Sequence, residues 1–155
     1  MARKMTRKEY YDICGPTVGD KLHLADTDLI IEIEKDYIKE IGGYGSEASA
    51  GGGKSFRDGM VMTSGMTSEE GVLDVAFTNA VIVDPIIGIV KGDIGVKDGK
   101  IVGIGKCGNP HTQKITPGLI VGQATELIPL EGAIVTPGGV EVHIHFLSPD
   151  QIWEA

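Results

Sequence analysis

The chain has 155 residues, of which 41% are hydrophobic and 23% charged, and its formal net charge is −8. This length suits one domain of ordinary size and excludes two large ones. The negative charge argues against nucleic acid and anionic membranes as partners. The 23 glycines, about twice the usual share, and the 5% of aromatic residues predict many turns and short strands.

The cysteines and the N-terminus bear on the compartment. Cys14 and Cys107 lie far apart in the sequence, so we expect two free thiols in a reducing environment. The basic N-terminus has no apolar segment after it, which argues against a secretory signal, and no apolar run is long enough to span a membrane. These features predict a cytoplasmic protein.

The first predicted element is a short helix. Thr6 and Glu9 fit a capping box, in which each residue's side chain binds the other's backbone N–H. The helix is expected to run to about Ile13 and to end at Gly15-Pro16, with a turn over residues 17–20.

Residues 22–37 are predicted to form a strand. Leu29, Ile31 and Ile33 alternate with more polar neighbours, which indicates one apolar face. The acidic residues Glu32, Glu34 and Asp36 resemble a carboxylate cluster, but we interpret them as a solvated strand face.

The glycine-rich stretch 42–71 has little periodicity and is predicted to be a long ordered loop that packs on a neighbour. Gly53-Lys54-Ser55 resembles the end of a phosphate loop. That motif needs a glycine five residues before Gly53, where this chain has Ala48, so we do not predict nucleotide binding.

From residue 72 onward the pattern is typical of a mostly antiparallel β-sheet. Residues 72–83 alternate well, and Asp98-Gly99 separates two alternating runs, 94–97 and 100–104, which predicts a tight hairpin. Residues 107–117 form a polar loop that contains His111. Further short strands are predicted at 119–121, 126–130 and 133–135.

The last predicted strand, Val140 to Phe146, contains two histidines. Side chains alternate along a strand, so His143 and His145 should share one face, opposite the apolar Val142 and Ile144. Neutral imidazole suits Zn, Cu, Fe and Ni, so the pair could be half of a metal site of unspecified metal. The alternative is two histidines on a partly solvated face.

The end of the chain looks like the opening of a βα unit, with a helix beginning near residues 148–151. A single βα unit has no sheet to join. We therefore expect two parts, a β-rich domain over 1–135 and the opening of a further unit over 136–155. We also expect the chain to be the front of a longer protein or one piece of a split one.

Two stretches stand out, Gly-Pro-Thr-Val-Gly-Asp at 15–20 and Gly-Gly-Gly-Lys at 51–54. With several others, they resemble the N-terminal portion of the urease catalytic (alpha) subunit, a member of the amidohydrolase superfamily, and these two are specific to ureases. The wider superfamily shares the His-x-His strand. Further matches lie at 11–14, 24–29, 33–36, 57–60, 78–80, 93–101, 105–106, 108–110 and 138–146.

The resemblance implies a mainly β fold: a β-rich N-terminal domain, composite or sandwich-like, leading into the first strand of a (β/α)8 metal-dependent hydrolase barrel. Catalytic groups of such barrels lie at the C-terminal ends of strands. His143 and His145 would there bind one of two Ni²⁺ ions. The carbamylated lysine that bridges the ions, and the other ligands, would lie beyond residue 155.

The implied reaction is hydrolysis of urea to ammonia and carbamate, with the metal polarising the carbonyl and acidifying the attacking water. This chain alone is expected to bind nickel weakly and to be inactive. It departs from the family at Glu141-Val142, usually Asp-Thr, and at Ser148, usually cysteine. These changes keep the two histidines and alter their surroundings.

The resemblance also implies partners. Because the chain starts where the alpha subunit starts, we expect separate urease beta and gamma subunits, nickel-inserting accessory proteins and a homo-oligomer of heterotrimers. Two alternatives remain open at this point. One is another metal-dependent amidohydrolase of the hydantoinase or dihydroorotase type, and the other is a non-catalytic β-rich assembly module.

Overall fold

The structure is a computed structural model that describes residues 4–49 and 55–154. Gly53-Lys54 and the glycines before them lie outside the described residues. The predicted mainly β fold is confirmed. The elements are α1 Arg7–Cys14, β1 Lys21–His23, β2 Ile30–Glu32, β3 Lys35–Asp36, α2 Tyr37–Gly42, a 3₁₀ turn Ser68–Glu70, β4 Val75–Asp84, β5 Gly88–Lys97, β6 Lys100–Gly105, β7 Glu126–Pro129, β8 Ile134–Val135 and α3 Gln151–Glu154.

The predicted N-terminal helix and its capping box are confirmed in α1. Thr6 Oγ1 accepts the backbone N–H of Glu9 at 3.2 Å, and the Glu9 carboxylate accepts the N–H of Thr6 at 2.8 Å. Gly15 ends the helix with φ +75°, a conformation that costs a glycine little, and its N–H bonds to the Tyr11 carbonyl.

The main sheet is built around one long hairpin, β4 and β5, which pair antiparallel. Two strands pair with the other edge of β5, one after the other along its length: β3 runs parallel to β5, and β6 runs antiparallel to it. On the outer side of β4 lie β7 and β8, both parallel. The sheet is therefore mixed, and the expectation of a mostly antiparallel sheet is only partly right.

The predicted hairpin at Asp98-Gly99 is confirmed. Both turn residues have positive φ, +50° and +70°, which matches the right-handed twist of β5 and β6. Further along, Gly95 pairs with Gly103 and Val96 with Ile101. Val102 is therefore an extra, bulged residue on β6.

The single strand predicted over residues 22–37 is wrong. The chain forms β1, β2 and β3, with a tight loop between β1 and β2 in which Ala25 has φ +53°. Asp36 ends β3 and caps α2, because its carboxylate accepts the N–H of Lys39 at 2.9 Å. The sequence pattern gave no cue for these local side-chain bonds, which compete with a continuous strand.

The ribbon β1–β2 packs on the main sheet through its apolar face. Ile31 and Ile33 are buried against Val81 of β4, as the alternation predicted, whereas Leu29 is 62% exposed. A second cluster of buried apolar side chains joins β4 to β5, and a third lies under the loops on either side of them. Cys14 and Cys107 are both buried and, as predicted, neither forms a disulfide.

A buried carboxylate, Asp93 of β5, ties the loop after β6 to a bulge in β4. Its two oxygens accept the N–H of Asn79 at 2.9 Å and the N–H of Cys107 at 2.8 Å. Asn79 has φ +58° at the register shift of β4. Burial raises the pKa of Asp93. Burial also lowers the pKa of its neighbour Lys106, and the negative charge of Asp93 opposes this lowering.

A second buried charge, Lys91 of β5, holds α1 against the sheet. Its Nζ donates to the Cys14 carbonyl at 2.7 Å and lies 4.0 Å from the buried Asp36 carboxylate. The Tyr10 hydroxyl, 3.3 Å from Lys91 Nζ, donates to Glu47. Burial and this carboxylate raise the pKa of Tyr10, so the phenol stays protonated.

Candidate metal centre

The two predicted ligands lie in the segment after β8, where the chain leaves the sheet. Residues 136–150 contain no regular element, and α3 follows over Gln151–Glu154. Within the described residues, no helix is long and apolar enough to cross a bilayer.

The strand predicted over Val140 to Phe146 does not form in this structure. A strand needs a neighbour to accept and donate its backbone hydrogen bonds, and no described strand lies beside this segment. Its apolar side chains are therefore exposed; Val140 is 88% and Val142 91% accessible. Alternation of apolar and polar residues is a property of the segment itself, whereas a strand forms only when a neighbouring strand is present.

The structure nevertheless brings His143 and His145 together. Their Nε2 atoms are 2.8 Å apart, their ring centroids 4.8 Å apart, and the ring planes are inclined by 52°. Both residues are exposed. At this separation one Nε2 carries a proton and donates it to the lone pair of the other, if both rings are neutral.

Two side chains shape the backbone around the pair. Glu141 Oε1 accepts the N–H of His143 at 2.8 Å, which bends the chain locally. Gln151 Oε1 accepts the N–H of Leu147 at 2.5 Å and that of Ser148 at 3.3 Å, so the first residue of α3 is tied back to the end of the segment. These bonds hold the two histidines on one short, exposed bend.

The spacing of the two rings fits two ligands of one ion. A transition metal bound by imidazole lies about 2.0–2.1 Å from each nitrogen, so two adjacent ligands at right angles are about 2.9 Å apart. The observed 2.8 Å between the Nε2 atoms is close to this value. Neutral imidazole is a good donor for nickel, so the residues present fit the metal as a partial ligand set.

The pair has no third partner in the part of the chain that the structure describes. No group of three or more His, Cys, Asp or Glu side chains there is arranged around a common point. The other histidines, His23 on β1 and His111 in the loop after β6, are exposed and lie in separate parts of the fold. Within residues 4–49 and 55–154, the predicted site therefore consists of these two side chains.

The buried Tyr10, Glu47 and Lys91 contacts were not foreseen from the sequence. They come from α1, the loop after α2 and β5, and no spacing along the chain joins them. Beside them lies a cavity of about 440 Å³ lined by Arg7, Tyr10, Thr17 and Tyr44, among others. Neither His143 nor His145 lines it, so it does not extend the metal centre.

Comparisons with known proteins match most of the chain. The sequence model of the family described as "Urease alpha-subunit, N-terminal domain" covers residues 3–128. Urease subunit alpha of Haloquadratum walsbyi is 55% identical over 151 residues, which cover 97% of this chain and 26% of the relative.

Two further relatives carry the same name. Urease subunit alpha of Natronomonas pharaonis is 50% identical over 153 residues, covering 98% of this chain and 26% of the relative. The protein of that name from Edwardsiella ictaluri is 50% identical over 152 residues, covering 97% and 26%. The chain therefore spans about a quarter of the length of the curated relatives that it matches.

Proposed function

Because the chain belongs to the urease alpha-subunit family, we propose that it is the N-terminal part of a nickel-dependent urease that hydrolyses urea to ammonia and carbamate. The observation that carries the proposal is the 2.8 Å approach of His143 Nε2 to His145 Nε2 on an exposed bend. Two neutral imidazoles this close offer a converging pair of Nε2 lone pairs once each ring carries its proton on Nδ1.

In this proposal His143 and His145 are two ligands of one nickel ion. Bound nickel supplies a Lewis acid for the urea carbonyl and an acidified water as nucleophile. The part of the two histidines would be to hold the ion: the ring that carries its proton on Nε2 would transfer it to its own Nδ1 through solvent, so that both neutral rings present an Nε2 lone pair. Each remaining N–H, on Nδ1, is then free to donate to an acceptor that fixes the ring orientation.

The remaining ligands, including the carbamylated lysine that would bridge two nickel ions, are proposed to lie outside this chain. Residues 140–146 would then form the first strand of a (β/α)8 barrel, in which neighbouring strands supply the backbone partners that the segment lacks here. In the structure the Glu141 side chain accepts the backbone N–H of His143. In the barrel that N–H would instead donate to a carbonyl of a neighbouring strand. This exchange explains why the segment has strand-like alternation without being a strand.

The assembly proposed for the whole protein follows from the family. It comprises urease beta and gamma subunits, nickel-inserting accessory proteins and a homo-oligomer of heterotrimers, with urea as the substrate. The two buried cysteines, which form no disulfide, support a reducing, cytoplasmic location. The family match disfavours a hydantoinase or dihydroorotase activity, since its model is specific to urease alpha subunits.

Calorimetric titration of the 155-residue chain with nickel tests the proposed ligands. We expect binding weaker than micromolar, because two ligands do not complete a site. His143→Ala and His145→Ala should each abolish the heat of binding, whereas His111→Ala, which removes an exposed loop histidine, should leave it unchanged. Sub-micromolar affinity in the unaltered chain, or binding that survives both substitutions, would contradict the assignment.

A further inference from the structure

A second cavity, of about 350 Å³, is lined by residues of two loops, the one after α2 and the one after β6. Ser46, Glu47 and Ser55 line it from the first loop. Thr112 and Gln113 line it from the second. Neither histidine of the predicted metal centre lines it, so the cavity is a separate candidate for a binding site.

Among the described residues that line this cavity, Glu47 alone is charged, and it is buried by the chain itself, at 4% exposure. One carboxylate oxygen, Oε1, accepts the hydroxyl of Tyr10. The other, Oε2, is buried and has no hydrogen-bond partner in the part of the chain that the structure describes. A buried carboxylate oxygen without a partner is costly, so it favours an occupant that donates a hydrogen bond or carries positive charge.

The buried lysines do not supply that charge. Lys91 has Asp36 as its nearby carboxylate, at 4.0 Å, and Lys106 Nζ donates to the side-chain oxygen of Gln113. None of the ion pairs within 4.0 Å that join described residues includes Glu47. The Glu47 carboxylate is therefore without a cationic side chain among these residues.

The hydroxyl groups that line the cavity use their hydrogens on backbone carbonyls. Ser46 Oγ donates to the Gly43 carbonyl at 2.7 Å. Thr112 Oγ1 donates to the Met60 carbonyl, also at 2.7 Å. A hydroxyl whose hydrogen is already used can offer a guest only its lone pairs. Together with Glu47, these groups present the cavity with acceptors rather than donors.

We propose that this cavity binds one small monovalent cation, K⁺ or NH₄⁺, with Glu47 Oε2 as its charged ligand. A single free carboxylate oxygen matches a single positive charge. Ca²⁺ takes six to eight oxygen ligands, commonly from several carboxylates, whereas this lining provides one carboxylate. Nickel prefers imidazole nitrogen, and no histidine is part of the lining. The hydroxyl oxygens complete the shell, by coordinating K⁺ or by accepting hydrogen bonds from NH₄⁺.

A cation at this position would join three segments of the fold. Glu47 connects the loop after α2 to helix α1 through the Tyr10 hydroxyl, and Thr112 belongs to the loop after β6. Binding should therefore stabilise the folded chain, because the unfolded chain does not hold these groups around one point. The inference involves neither His143 nor His145, so it stands or falls independently of the proposed function.

Thermal unfolding of the 155-residue chain, followed by circular dichroism, tests the inference. The chloride salts of K⁺, NH₄⁺ and tetramethylammonium are compared at equal ionic strength, because the methyl groups of tetramethylammonium prevent close approach of the lone pairs. At about 200 mM salt we expect Tm to be about 2–5 °C higher with K⁺ or NH₄⁺ than with tetramethylammonium, and the rise to saturate with concentration. The ion that produces the larger rise identifies the preferred occupant.

Glu47→Gln should remove the difference between the salts, since it keeps an oxygen for Tyr10 but loses the charge. Glu40→Gln, which alters an exposed carboxylate on α2, should retain the difference. Equal Tm values in all three salts would overturn the inference, because the cavity would then hold only water. A difference that survives Glu47→Gln would overturn it as well.

Equilibrium dialysis of the unaltered chain against Rb⁺ gives a measurement that does not depend on the folding of a variant. Rb⁺ resembles K⁺ and NH₄⁺ in charge and size, so we expect about one bound Rb⁺ per chain at saturation. An excess of K⁺ or NH₄⁺ should displace it, whereas tetramethylammonium should not. Absence of bound Rb⁺, or equal displacement by all three ions, would overturn the inference.

Discussion

The buried carboxylate of Asp93 should be among the most sensitive groups in the fold, and Asp93→Asn tests this. The substitution keeps size and shape but replaces one acceptor oxygen with an amide NH₂. In the native chain both oxygens are used, by the N–H groups of Asn79 and Cys107 at 2.9 and 2.8 Å. In the variant, the NH₂ group of the new amide would therefore face one of these two backbone N–H groups, and two donors cannot form a hydrogen bond with each other.

The expected cost follows from two losses. One buried backbone N–H loses its acceptor, which costs about 1–3 kcal/mol. The Lys106 side chain also loses a nearby negative charge, which in the native chain opposes the lowering of its pKa by burial. We therefore expect Asp93→Asn to lower the free energy of unfolding by roughly 1–3 kcal/mol, a sizeable part of the total for a domain of this size.

Urea denaturation followed by circular dichroism measures this change, with the slope against denaturant held to the native value. Asp84→Asn is the matched control. Asp84 Oδ1 alone accepts two backbone N–H groups, from Ile86 at 2.8 Å and Ile87 at 2.9 Å, in a half-buried turn. The amide retains that oxygen, so its cost should stay below about 1 kcal/mol. A loss under about 1 kcal/mol for Asp93→Asn would refute the reasoning, because it would mean that Asp93 is already neutral in the fold.

Two further predictions concern the β5–β6 turn. The N–H of Asp98 and the Lys97 ammonium hold the pKa of Asp74 below its usual value, so its ionised form stabilises the fold. Asp74→Asn should lower Tm at pH 7. Plots of Tm against pH for the variant and the unaltered chain should converge as the pH falls below about 4, where the carboxyl of the unfolded chain becomes protonated. Plots that stay parallel would contradict this. Gly99→Ala places a side chain at φ +70° and should cost about 1 kcal/mol in urea denaturation. Gly65 also has open space around its Cα but no positive φ, so Gly65→Ala should leave the free energy of unfolding unchanged. Equal losses of stability at the two sites would count against backbone strain as the cause.

Local signals predicted those parts of the fold whose cause is local. The capping box of Thr6 and Glu9 and the Asp98-Gly99 turn each need only a few neighbouring residues, and both are present as expected. The break between β1 and β2 was missed, although it also forms locally. It depends on side-chain bonds such as that from the Thr27 hydroxyl to the Leu24 carbonyl, which alternation of apolar residues does not reveal.

Features that join distant segments could not be predicted. The parallel pairing of β7 and β8 with β4 depends on where the intervening loops place them, and so does the contact between Lys91 and the Cys14 carbonyl. The His143 and His145 pair was predicted to share a strand face. The rings do meet, but on a bend, since a strand is stable only when another strand accepts its hydrogen bonds.

The central hairpin has a consequence for the order in which the chain folds. β4 and β5 are joined by a short turn, whereas β3 and β7 are contributed by segments about 40 residues or more away along the chain from their partners. Closing those long loops costs entropy that only a preformed surface repays. We expect the hairpin to form early and the flanking strands to dock late, so that mutations in β7 and β8 should speed unfolding more than they slow folding.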